Sequence, residues 1–381
     1  MDIHFVSEED RESIKHILAY CFDLADETLQ SENCLGAFDE GRLAALLYIN
    51  PLDMYFHGKT VGMGGIGVVS TLPEYRHSHC ASGLLIKSLE VMRDRGYLFS
   101  ALGPFSYSFY RRYGWNLAFH RKRYRISMEN LKAFEKRKST LRPLALKDAD
   151  NVRRLYEVFM ARYNGPIRRN AENWESRFKK LNTNGNYAYG CSHDGKGLDG
   201  YIFYSLKGME FHIHEMVYDS LETRLDLLCF VYAHKAQADD VIWLAPPDDN
   251  TPLLLENPNI EQSIKAGMMI RVVDVKRVLE AYSFPPEYHG SFTVKVEDLY
   301  APWNSVPFRV VIENGNAAVE GIEDGPIDVK CDIQTFSQIM FGYLGMGEAM
   351  ELGKINTCSP ELSEDIKNLF VGHPTCETDS F

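Results

Sequence analysis

The sequence predicts a mixed α/β protein, α+β in its last part, built from two related αβ segments followed by a domain of different character. Three observations carry this prediction. The first third orders its signals as helix, strand, strand, helix, strand; a fainter echo starts near Leu141; and beyond residue 286 the pattern turns to alternating strands before a helical stretch. At 381 residues the chain exceeds one ordinary hydrophobic core. Three domains are expected, 1–140, 141–285 and 286–381, with Ser283-Phe284-Pro285-Pro286 as the last linker.

Ser7 can cap a helix with Asp10 three residues on, and Ile14, Ile17, Leu18, Cys21 and Phe22 follow at helical spacing. Leu43 to Ile49 is an apolar run ending at Asn50-Pro51, and Val61 to Thr71 is rich in Gly and Val and stops before Leu72-Pro73, so both read as buried strands. Leu85, Leu89 and Met92 mark one face of a helix that Gly96 ends, and Tyr97 to Leu102 returns as a strand. In the echo, Arg142 to Asp148 leads into a helix with Val152, Leu155, Tyr156 and Phe159. Strands at Gly200–Ser205 and Glu210–Tyr218 and a helix with Leu225, Leu228 and Tyr232 complete the repeat. Between that strand and helix stand Asp219-Ser220-Leu221-Glu222-Thr223, acids where an anion-binding turn needs donors, so this copy is expected to be catalytically dead. In the last third Gly290–Tyr300 and Phe308–Val319 read as strands, the second folded at Glu313-Asn314-Gly315-Asn316. The helical stretch Thr335–Leu344 carries Phe336, Ile339, Met340, Phe341 and Tyr343 as core.

Composition narrows the function classes. Hydrophobic residues at 45% and charged residues at 25% exclude a disordered or fibrous chain. No apolar run reaches the roughly 18 residues of a membrane helix, and Met1-Asp2-Ile3-His4 lacks the basic-then-apolar pattern of a leader, so a cytoplasmic protein is expected. With 41 basic and 53 acidic residues the net charge is −12, which disfavours a nucleic-acid partner and favours a cationic one. Eight cysteines are scattered without a close pair; they read as reduced thiols, and no metal site is expected.

Two stretches carry chemistry. The first runs Val68-Val69-Ser70-Thr71-Leu72-Pro73-Glu74-Tyr75-Arg76-His77-Ser78-His79-Cys80-Ala81-Ser82-Gly83. A strand ending near Pro, a turn opened by Arg and an immediate helix aim several backbone N–H groups and the positive end of a helix dipole at one point, which suits a diphosphate. The second runs Pro104-Phe105-Ser106-Tyr107-Ser108-Phe109-Tyr110-Arg111-Arg112-Tyr113-Gly114-Trp115 and offers three phenols. A phenol can protonate a thiolate as it leaves a thioester, since its reference pKa near 10 is close to that of a thiol. Cys80 lies in the turn and is not read as a nucleophile.

At these spacings the first stretch resembles the acetyl-CoA-binding motif of the GNAT superfamily of N-acetyltransferases, and the second resembles that superfamily's later motif. Arg76 and Ala81 fit the pattern, whereas His79 stands where the superfamily carries its first glycine. The resemblance implies acetyl-CoA along Val69, Ser70 and Thr71, its phosphates facing Arg76, His77, Ser78, His79, Cys80, Ala81 and Ser82, and Phe105 and Ser106 near the thioester. Over the whole chain the sequence is similar to the enhanced-intracellular-survival acetyltransferases: an active GNAT domain, a degenerate GNAT domain and a sterol carrier protein-like domain. Asn164-Gly165-Pro166-Ile167-Arg168-Arg169 with Trp174, Met269 to Val275, and Asp379-Ser380-Phe381 carry that likeness. It implies Tyr110 as general acid, the α-carboxylate of Phe381 as general base, a small cationic amine such as an aminoglycoside as acceptor, and a hexamer built from trimers. Asp23 or Asp26 would lend negative charge to the acceptor pocket. Acetylation of a protein lysine, or lipid carriage by the last domain without catalysis, are the alternatives.

Overall fold

The computed structural model describes residues 1–24, 29–135, 140–181, 185–193, 195, 197–323, 325–357, 366–370, 372–379 and 381. Asp26, Cys358 and Ser380 lie outside them. Chain contacts define two compact units, residues 1–119 with 267–381, and residues 120–266.

The first unit opens with β1 (Asp2–Phe5), α1 (Arg11–Phe22), β2 (Cys34–Asp39), β3 (Arg42–Phe56), β4 (Lys59–Thr71), α2 (Cys80–Asp94), β5 (Phe99–Leu102), α3 (Tyr107–Arg111) and β6 (Asn116–Leu117). Ser7 and Asp10 form the expected capping box, over a short 3-10 turn that precedes α1. α1 buries Ile14, Ile17 and Leu18, and α2 buries Leu84, Leu85, Leu89 and Met92. Gly96, at φ 78°, ends the chain's helical path. β3 does not stop at Asn50-Pro51 but runs to Phe56. β2 flanks β3 only as far as Tyr48, so Pro51 sits beside an open edge where its missing N–H forfeits no ladder bond.

The second unit holds β7 (His120–Ser127), β8 (Leu141–Pro143), α4 (Ala149–Met160), α5 (Ala171–Lys180), β9 (Asn186–Cys191), β10 (Gly200–Lys207), β11 (Glu210–Tyr218), α6 (Leu221–Tyr232), β12 (Asp240–Ala245) and β13 (Glu261–Ala266). Its sheet runs β13-β7-β12-β11-β10-β9-β8. A core of Ile202, Phe211, Leu227, Leu228, Val231, Val241 and Trp243 lies between that sheet and α6.

The chain then re-enters the first unit with β14 (Met269–Val272) and α7 (Val275–Ala281). β14 pairs antiparallel with both β5 and β6, giving the order β1-β2-β3-β4-β5-β14-β6. A separate antiparallel-rich sheet follows: β15 (Gly290–Glu297), β16 (Phe308–Glu313), β17 (Asn316–Gly321), β18 (Val329–Asp332) and β19 (Asn356–Thr357), in the order β17-β16-β15-β18-β19. The β16–β17 hairpin turns at Asn314-Gly315, both left-handed at φ 51° and 77°, as a two-residue turn requires. α8 (Ile333–Phe341) and α9 (Met346–Glu351) cover it. α8 also ties this sheet to the first: Ser337 accepts a hydrogen bond from the Val272 amide at 2.8 Å, and Gln338 donates to the Leu117 carbonyl at 2.7 Å. Arg271, fully buried on β14, pairs with Asp298 at 2.8 Å.

Candidate functional site

The site begins where two neighbouring strands part. β4 and β5 pair in parallel only from Met63–Ile66 against Phe99–Leu102, after which β5 ends and β4 continues to Thr71. A bulge with Val68 left-handed at φ 53° bends β4 at that point. Val69, Ser70 and Thr71 therefore lie along a stretch of β4 whose edge toward β5 is bare. Such an edge can take an extended amide-bearing ligand as an added strand. Ser70 is buried with its hydroxyl turned back to the Val68 carbonyl at 3.2 Å, so its side chain shapes the bulge.

Beyond Thr71 the chain makes a 3-10 turn at Pro73–Tyr75 and enters α2. Arg76, His77, Ser78 and His79 are exposed, Ala81 and Ser82 half-buried. His77 and His79 are left-handed, φ 69° and 61°. This is the conformation a glycine adopts freely, and a histidine holds it at a cost of about 1–2 kcal/mol. The turn geometry thus survives without the glycine. The amides of Cys80, Ala81 and Ser82 open the helix with no carbonyl one turn behind them, while Gly83 closes the first helical bond to His79 at 3.0 Å. Those amides and the positive end of α2 can receive an anion, and Arg76 stands exposed four residues before the helix begins. Cys80 is buried, its sulfur near Met1 and the Tyr75 carbonyl, and burial raises its thiol pKa. It is packing, in keeping with its exclusion as nucleophile.

Across the gap stands α3. Ser106 caps it, accepting from the Phe109 amide at 3.4 Å, and Phe105 projects, 73% exposed. The three tyrosines have different fates. The Tyr107 hydroxyl donates to the Gly267 carbonyl at 2.8 Å, and the Tyr113 hydroxyl shares a short hydrogen bond with Ser82. Tyr110 is buried in the cluster that holds Ile66 and Leu102, edge-on to Phe105 and Phe109 at 5.3 and 5.1 Å. Among the described residues its hydroxyl has no hydrogen-bond partner. Burial raises its pKa, which keeps it protonated at neutral pH.

The chain end reaches the same strand. The tail passes His373 against His57 and buries Thr375 and Cys376, and Glu377 accepts from the Met268 amide at 3.1 Å. Phe381 then lies on β4. Its ring comes within 2.5 Å of where a Cβ at Gly65 would stand, and its carboxyl carbon within 3.7 Å of the same point at Gly67. Asn50, from β3, reaches the Gly65 carbonyl at 3.4 Å beside it. Gly65 and Gly67 make the seat, and sequence patterning passes them over because two glycines in a Gly-rich strand carry no sign of a partner so far along the chain. Asp23 is exposed in the left-handed cap of α1, φ 58°.

In the second sheet β11 and β12 also part, pairing only over Glu210–Ile213. There Arg224 crosses from α6 to Asp249 at 2.8 Å and Thr251 at 2.6 Å, and Asp219 and Glu222 flank the start of the helix. A cavity of about 250 Å³ at this end is lined by Tyr163, Tyr218, Arg224, Trp243 and Asp248. Acids at the helix start and an ion pair spanning the gap oppose a diphosphate and an added strand alike.

The comparisons bear on the fold and the domains. Residues 2–118 and residues 165–272 each match a family described as an acetyltransferase (GNAT) domain, and residues 275–376 match a sterol carrier protein domain. No curated protein sequence matches significantly. Among solved structures, a probable N-acyltransferase of unknown function from Enterococcus faecalis superposes with a TM-score of 0.91 at 22% identity, over 100% of this chain and 99% of that one. A GCN5-related N-acetyltransferase from Anabaena variabilis gives 0.89 at 23% identity, covering 100% of each chain. Eis1 from Mycobacterium abscessus gives 0.82 at 20%, again over 100% of each. At these identities the likeness is one of fold. Two GNAT acetyltransferase domains and a sterol carrier protein domain on a mixed α/β frame make this chain an N-acetyltransferase.

Proposed function

We propose that the first domain transfers acetyl from acetyl-CoA directly to a primary amine of a small cationic molecule of aminoglycoside type, as a member of the enhanced-intracellular-survival group. The observation that carries this reading is the meeting, in one region of β4, of a bare strand edge, an anion cradle and a carboxyl-terminal residue. Val69, Ser70 and Thr71 would pair with the pantetheine amides, residues 76–82 would hold the diphosphate, and Phe105 and Ser106 would border the thioester. The division of labour would follow the expected bounds, 1–140 catalytic, 141–285 the second copy and 286–381 the domain that delivers Phe381, with β7 lent to the second unit and β14 and α7 to the first. The full-length likeness in fold to Eis1 supports placing the chain in this group, and membership would imply a hexamer built from trimers. Asp23, exposed at the end of α1, would attract the cation.

In this reading the acceptor ammonium gives a proton, through water, to the Phe381 carboxylate, and the freed nitrogen attacks the thioester carbonyl. The C–S bond breaks, Tyr110 protonates the departing sulfur, and the second proton shed by the nitrogen as the amide forms returns through water to the Tyr110 phenolate. Burial weakens Tyr110 as an acid, but the same desolvation makes the thiolate a stronger base, so the transfer stays matched. A carboxylate beside a bound polycation both attracts it and takes its proton. The lipid-carrier alternative is not favoured, since the apolar core of the last sheet, lined by Phe292, Phe336, Met340 and Phe370, leaves a cavity of only about 10 Å³. That is barely room for one water.

One paired experiment tests the mechanism, thiol release measured over a panel of cationic amines. Tyr110→Phe should lower kcat by about 10²-fold or more with acetyl-CoA affinity unchanged by calorimetry. Extending the chain past Phe381 should remove activity with the same cofactor affinity. A fully active extended enzyme rejects the base, and absence of acetyl-CoA binding up to millimolar concentration rejects the whole assignment.

A further inference from the structure

The second unit contains a side-chain cluster that the acetyltransferase reading does not use. Cys191 ends β9, His193 follows two residues later, and Asp226 comes from the second turn of α6. One donor atom from each of the three lies within 4.8 Å of the others. Cys191 and Asp226 are buried, and His193 reaches solvent.

The hydrogen bonds around His193 are directional. Its Nδ1 faces Asp199 Oδ2 at 2.8 Å, and the same oxygen accepts its backbone amide at 2.7 Å. Nε2 points at Asp226 Oδ2, 3.0 Å away. A carboxylate on one ring nitrogen, fixing the tautomer and freeing the other nitrogen, is how metal-bound histidines are held. Asp226 adds the electrostatic case. Its side chain is 4% exposed, and among the described residues no lysine or arginine pairs with it. A buried carboxylate needs a cation nearby, and Asp199 and Asp219 raise the negative charge of the pocket further.

From these positions we propose that Cys191 Sγ, His193 Nε2 and Asp226 Oδ2 bind a divalent transition metal of the zinc class, with Asp199 orienting the histidine. Sulfur, imidazole nitrogen and carboxylate oxygen together select zinc over magnesium or calcium, which take oxygen donors. Tetrahedral zinc with bonds of about 2.0–2.3 Å requires donor separations of about 3.3–3.8 Å, within small side-chain adjustments of those present. The fourth position opens toward solvent on the His193 side and takes water. Binding expels the thiol proton and leaves a thiolate–metal bond that fastens the end of β9 to α6. The role is structural, because the three donors join elements of the second unit alone.

The test uses the full chain, stripped with chelator and titrated with Co²⁺ and then Zn²⁺. The expected result is about one equivalent bound per chain, with the thiolate-to-cobalt charge-transfer band of a tetrahedral site, and a melting temperature raised by about 4 °C at saturating zinc. His193→Gln, at a half-exposed position that leaves the core intact, should lower the affinity at least tenfold and cancel the zinc-dependent rise. Cys191→Ser should keep metal-free melting close to wild type and lose the charge-transfer band. The competing account is that His193 is simply an imidazolium bridging two carboxylates. It predicts that Asp226→Asn lowers the melting temperature equally with and without zinc, and that no thiolate band forms. Either result, or equal metal uptake by wild type and His193→Gln, overturns the proposal.

Discussion

Three tyrosines lie on and beside α3, and what separates them is the fate of one hydroxyl each. Tyr107 and Tyr113 place theirs against Gly267 and Ser82, whereas that of Tyr110 meets no partner among the described residues. The same economy governs the chain end, where the absence of two side chains decides whether Phe381 can lie down. Gly65→Ala would put a methyl 2.5 Å from the Phe381 ring and 2.9 Å from Leu52. Since the contact is with the far end of a side chain on the last residue, we expect the fold to survive with a melting temperature within about 4 °C of wild type, while kcat falls at least tenfold. Full activity in that variant would show that the seat is unnecessary. The turn at Arg76 and the helix that follows it were legible in the sequence because their spacing is local. The seat for Phe381 was not, since a glycine records neither the partner it admits nor its distance.

Strands and helices were readable wherever the alternation or the 3.6-residue period was strong. α2, with its Gly96 stop, and the Asn314-Gly315 hairpin stand as the pattern implied, whereas Pro51 misled because a proline ends a strand only if its N–H is needed there. The β3–β4 hairpin carries a pH response. Its turn, His57-Gly58, is left-handed at both residues, φ 48° and 72°, and folds His57 against Tyr282 and His373, ring centroids 4.1 and 4.5 Å away. Burial, and then the charges of His373 and Lys59, push the His57 pKa from 6.5 down to about 3. The unfolded chain therefore takes up a proton below about pH 6.5 that the folded chain refuses, and stability falls as pH drops through that window. Between pH 7 and pH 5 His57 should account for about 2 kcal/mol. His57→Asn, which suits a left-handed turn, should flatten that part of the melting-temperature profile; an unchanged slope would assign the loss to other groups.

At the scale of the whole first unit, the feature no local pattern announced is β14. Read in order, Met269 to Val272 follows the second αβ segment, yet it lies between β5 and β6. Local sequence reports that a segment is extended and apolar, and says nothing about which sheet will take it. Arg271 holds the arrangement together. It reaches Asp298 with no exposure to water, and Asp298 also accepts from the Ala301 amide and from Asn304. Arg271→Met would strand a buried carboxylate at a cost of about 3 kcal/mol or more. Chemical denaturation would show this as a lower midpoint, and Asp298→Asn in the same chain should recover much of it; no recovery would mean the arginine matters for its bulk instead.

The position of β14 also sets a timetable. Translation delivers β5 and β6 long before their shared neighbour, and some 150 residues must leave the ribosome before the gap between them can close. Until then the nascent polypeptide carries two unsatisfied strand borders, the kind of surface that chaperones guard and that stray β-segments exploit.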